Sequence, residues 1–105
     1  MNPREFVLAC AALKSQLLET YKDPSGTSEV ATILSGLNLD ASAKTTVHKA
    51  LDTALTDAFY SMLLALDGAA SLGPYQEQFT LRSGDGQDLT GQIEEHAYVV
   101  FHGTP

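Results

Sequence analysis

Three histidines, one cysteine and thirteen carboxylates are the groups with which this chain could do nucleophilic, metal or acid–base chemistry. Cys10 falls on the apolar stripe of a helical pattern, where a thiol reads as a small core residue and not as a nucleophile. His48 and Asp52 are four apart and can share a helical face. They supply two ligands where zinc needs three or four. His96 and His102 are six apart and do not converge on one face. Catalytic carboxylate pairs must face each other across a cleft. Asp57 and Asp67 are far apart along the chain, and the adjacent Glu94 and Glu95 diverge. Gly84 and Gly86 form a lone G-x-G in a turn from which no helix opens, so it reads as a turn and not as a phosphate cradle. Ser71 lies in Ala-Ala-Ser-Leu-Gly, which lacks the first glycine of a nucleophile elbow. The expectation is a non-enzymatic protein with no catalytic residue, no metal and no cofactor.

The carboxylates matter more by their distribution. The formal net charge is -7. Residues 1–50 hold five acids and five bases and sum to zero. Residues 51–105 hold Asp52, Asp57, Asp67, Glu77, Asp85, Asp88, Glu94 and Glu95 against the single base Arg82. The whole net charge therefore lies in the second half. Such a surface repels phosphate backbones, which argues against nucleic acid. It attracts a basic protein partner and speeds the encounter. Asp67, Asp85, Asp88, Glu94 and Glu95 are the candidate partner-binding residues, because they lie on or beside the loops of this half. Solubility alone is the competing account of the same charge.

These groups must be held by a small scaffold. The chain has 105 residues, the size of one domain, 1–105, with room for one modest core. Its longest strictly apolar run, Met62 to Leu66, cannot span a bilayer. The N-terminus lacks a basic region followed by a long apolar stretch, and one cysteine cannot make an internal disulfide. Both observations predict a cytoplasmic protein.

Asn2, Pro3 and Glu5 form a helix start, and Phe6, Cys10, Leu13, Leu17 and Tyr21 continue it to about Lys22. Asp23-Pro24-Ser25-Gly26 is a turn. Thr27 or Ser28 caps a short helix carrying Val30, Ile33, Leu34 and Leu37. Asp40 caps a long third helix that ends at Asp67-Gly68. Its final turns are apolar on nearly all sides, so Phe59, Met62, Leu63 and Leu66 are expected in the core. The period then changes from 3.6 to 2. Tyr75, Phe79 and Leu81 share one parity, and Ser83-Gly84-Asp85-Gly86 reads as a hairpin turn before a return strand at Gln87 to Leu89. The last segment fits a helix capped by Thr90, although Tyr98-Val99-Val100-Phe101 is β-prone. The predicted fold class is α+β: three N-terminal helices, a two-stranded β-hairpin and a C-terminal helix, in one mainly helical domain.

The helix with Tyr60 and Leu64-x-Leu66-Asp67-Gly68-x-x-Ser71-x-Gly73, then an acidic hairpin and Glu94-Glu95-x-Ala97-Tyr98, resembles small uncharacterised bacterial proteins of the toxin-immunity type. The resemblance covers roughly residues 57–101. It implies a stoichiometric inhibitor that covers a toxin or effector, and it assigns no binding residue. A non-enzymatic assembly or adaptor domain, homodimeric through surplus apolar helix surface, is the alternative expectation. A small-ligand binder, or an enzyme whose residues the sequence does not reveal, is the third.

Overall fold

The computed structural model describes residues 1–103. Helix α1 runs Pro3–Lys22, α2 Glu29–Gly36, α3 Ala41–Leu66 and α4 Ile93–His102. Three of the four starts are made by adjacent side chains. The Asn2 side chain accepts from the Glu5 N–H at 2.8 Å, and the Asn2 N–H donates back to Glu5 Oε1 at 2.9 Å. This reciprocal pair satisfies two of the orphan donors of α1. Ser28 Oγ accepts from the Ala31 N–H at 3.1 Å, and Asp40 accepts from the Ala43 N–H at 2.8 Å. Each such cap stabilises its helix by about 1 kcal/mol.

Helices α1, α3 and α4 pack mutually, and α2 packs on α1. Val7, Leu63, Ile93 and Ala97 form the buried cluster where the three meet. Phe6, Cys10, Tyr60, Val100 and Phe101 pack around it. Phe59 stacks on Phe101 with ring centroids 6.3 Å apart. Leu63 is buried as its sequence position predicts, while Phe59 and Leu66 are half-buried. Met62 is a correction: half of its surface is exposed. An α3 of 26 residues is about 39 Å long, and an α4 of 10 residues covers about 15 Å of it. Met62 lies beside Leu63, within the stretch that α4 reaches, and is exposed because it faces away from the buried cluster.

The α+β class is overturned. No strand forms among the described residues, and the architecture is helical. Residues 67–92 join α3 to α4 as irregular chain. The predicted hairpin is reduced to an isolated antiparallel bridge between Arg82 and Asp88, with a second bridge between Leu72 and Tyr75. Ser83 N–H donates to the Gln87 carbonyl at 3.0 Å, and Leu89 N–H to Leu81 at 2.8 Å. Gln76 to Thr80 belongs to no strand, and Glu77 breaks the alternation there. Two strands without a third are marginal in water. Here the apolar parity is also buried only in part, for Phe79 and Leu81 are half-buried while Tyr75 is 64% exposed. What anchors the segment is Leu89, which is buried at 2% exposure.

The turn itself survives. Gly86 N–H donates to the Ser83 carbonyl at 2.9 Å, and Gly86 has φ +88°. A Cβ there would meet nothing within 4 Å, so only the backbone resists a side chain. Gly86→Val is expected to lose about 1–2 kcal/mol, the cost of a left-handed residue with a Cβ. A thermal melt checks this, and an unchanged midpoint would show that the turn relaxes at no cost.

Candidate partner-binding face

The C-terminal helix begins without a side-chain cap of its own, since Gln92 sits at its N-cap position and makes no capping bond. The predicted cap, Thr90, instead accepts from the Leu81 N–H through Oγ1 at 3.4 Å. Asp67 does the capping from the far end of the loop. Its Oδ1 accepts from the Gly91 N–H, and its Oδ2 accepts from the Glu94 N–H at 2.9 Å. Two donors of the α4 start thus converge on one carboxylate, whose charge also suits the positive end of the helix dipole. Asp67 can sit there because α3 ends at Leu66 and Gly68 takes φ +77°. A Cβ on Gly68 would come within 2.8 Å of the Gln78 side-chain amide.

The other four candidate acids divide into two kinds. Asp85 folds its own loop. It accepts from Ser83 Oγ, from the N-terminal ammonium of Met1 at 3.0 Å and from the Gln87 N–H at 3.2 Å. The Ser83 bond first, then the ammonium and the Gln87 N–H, hold its carboxyl well below the usual carboxylate range. Asp88 pairs with Arg82 at 2.6 Å, although both side chains are exposed. Glu94 and Glu95 are exposed on the first turn of α4. Glu94 makes no ion pair among the described residues, and Glu95 lies 3.9 Å from His96, which attracts it only when protonated.

A cleft of about 590 Å³ opens at the joint of α3 and α4. Tyr60, Asp67, Gly91, Gln92, Glu94, Glu95 and Tyr98 line it. The structure therefore brings three of the five candidates, Asp67, Glu94 and Glu95, to one concavity. Asp85 and Asp88 lie outside its lining, in the turn region. Tyr60 and Tyr98 are the additions that charge counting misses. Tyr98 was within reach of the sequence, being four residues after Glu94 on one helix, where i and i+4 share a face. Tyr60 was not, because its place depends on how α3 meets α4. Carboxylates beside aromatic rings suit a cation, which gains from both the charge and the ring face.

The groups weighed for other chemistry are otherwise engaged. Asp52 pairs with Lys14 of α1 at 2.7 Å. Among the described residues no three side chains of metal-ligating type come together. Burial pushes the Cys10 thiol up, which disfavours the thiolate that a nucleophile needs. No described helix is long and apolar enough to cross a membrane. No family model, curated protein or solved structure matches the chain.

Proposed function

We propose that this chain is a protein-binding module that receives a basic segment of a partner in the α3–α4 cleft. It acts stoichiometrically, as an immunity protein does on a toxin or effector, and performs no catalysis. One observation carries the reading: Glu94 and Glu95, which pair with no lysine or arginine among the described residues, line a cleft that also presents Tyr60 and Tyr98. A lysine or arginine entering it meets negative charge and an aromatic face together. The long irregular segment 67–92 supports the same reading, since loops beyond roughly 12–15 residues in small folds are commonly binding loops. Asp85 and Asp88 take a lesser part, because internal partners already hold them.

The test is association with a partner captured from the source cell and purified. Glu94→Lys with Glu95→Lys is expected to slow association roughly tenfold at low salt and to flatten its salt dependence. Asp85→Lys with Asp88→Lys should slow it less. An association rate indifferent to the Glu94 and Glu95 reversal and to salt would overturn this surface as the binding face. The charge would then serve solubility alone.

A further inference from the structure

The protein exposes more surface than a monomer of its mass should. Its accessible area is 6858 Å². A folded monomer of 11.2 kDa exposes about 5,700 Å². The excess of about 1,200 Å² exceeds the roughly 800 Å² per partner of a standard interface. The shape agrees: the radius of gyration is 16.3 Å, against about 13 Å for a compact chain of this length.

Residues 8–62 contribute much of this deficit, since Ala31 alone is buried among them. Helix α4 covers one end of the α1–α3 pair, and the eight-residue α2 packs on α1 without covering the rest. Ile33 of α2 and Leu37, which caps its C-terminus one turn on, are each 57% exposed. A groove of about 410 Å³ floored by Leu34, Leu39 and Val47 opens at the same end.

We propose that a second copy of this chain docks two-fold on the α2 end, with Ile33 and Leu37 at the centre of the contact. Charge selects the occupant. Two copies repel through their second halves, which carry the whole net charge of -7. The first fifty residues balance five acids against five bases, so this end approaches its twin without repulsion. Lys22, Lys44 and Asp23 edge the groove with both signs, which a two-fold axis can pair across copies. The proposal is independent of the acidic-cleft reading, and it leaves that cleft open.

Sedimentation velocity of the full chain, from micromolar to submillimolar concentration, tests it. The expected result is a species of twice the 11.2 kDa monomer mass. Added salt should leave this dimer little changed, because the charges at the contact balance, while it weakens association of a basic partner at the cleft. The different salt responses keep the two readings apart. Ile33→Asp with Leu37→Asp should raise the dissociation constant roughly a hundredfold or more, with helicity unchanged. Should that variant fail to fold, hydrogen exchange of the native chain decides instead. Slowing on concentration at the α2 amides supports the contact, and slowing at α4 in its place overturns it. A monomer at every concentration, or a dimer that persists in the folded variant, also overturns it.

Discussion

Replacing Ile93 by alanine is expected to destabilise the protein by about 2–5 kcal/mol, the range for truncating a fully buried aliphatic side chain. Ile93 is 0% exposed at the head of α4 and contributes to the cluster with Val7, Leu63 and Ala97. The relative effect is large because few side chains share the burden. Among the described residues only seven hydrophobics are buried, and three of those are alanines. Proteins of this kind have about 5–15 kcal/mol of stability in total, so Ile93→Ala removes a substantial fraction of it. Urea titration should show a lower midpoint with an unchanged slope. Met62→Ala is the control. Its side chain is half exposed, so its loss should stay within about 0.5 kcal/mol. If Met62→Ala costs as much as Ile93→Ala, the packing of α3 against α4 described above is wrong.

The second large effect is expected from Asp67→Ala. A conventional N-cap substitution costs about 0.5–2 kcal/mol. Asp67 serves the Glu94 N–H of α4 and the Gly91 N–H just before the helix at once, so the upper part of that range applies. The loss should also be local. Amide exchange at Gly91 and Glu94 should accelerate well before that at α1, whose cap is its own Asn2 and Glu5. Asp67→Asn keeps one acceptor oxygen and drops the charge, so it should fall between wild type and alanine. Exchange that rises evenly across all four helices would contradict a role confined to the α4 start.

The same residue marks the limit of what the amino-acid order reveals. Three helix starts were legible because their caps are local: Asn2 with Glu5, Ser28 with Ala31, Asp40 with Ala43. The fourth helix was legible from its period, despite the β-prone Tyr98 to Phe101, but its cap was not. Asp67 lies 24 and 27 residues from its two donors, and no short-range pattern connects them. The hairpin failed for a related reason. Alternation at Tyr75, Phe79 and Leu81 describes a side chain pattern, whereas a strand needs a partner and a surface to cover. Neither follows from the segment itself. The acidic character of the site was visible in Glu94 and Glu95. Its concavity was not, because Tyr60 comes from another helix. Counting acids also gave no sign that Asp85 and Asp88 have counter-charges of their own, Met1 and Arg82.

Because one carboxylate draws both ends of the 67–92 segment together, the helical frame is closed before the segment's interior contributes. The length of such a closed stretch matters little to stability, since doubling it adds only about 0.6 kcal/mol of closure entropy. The interior is therefore an exchangeable cassette, provided that Asp67 and the buried Leu89 are kept. Insertions between them, or a graft of a different recognition sequence, leave the four helices with the same start and stop signals. Drift in evolution and redesign at the bench meet the same permissive site.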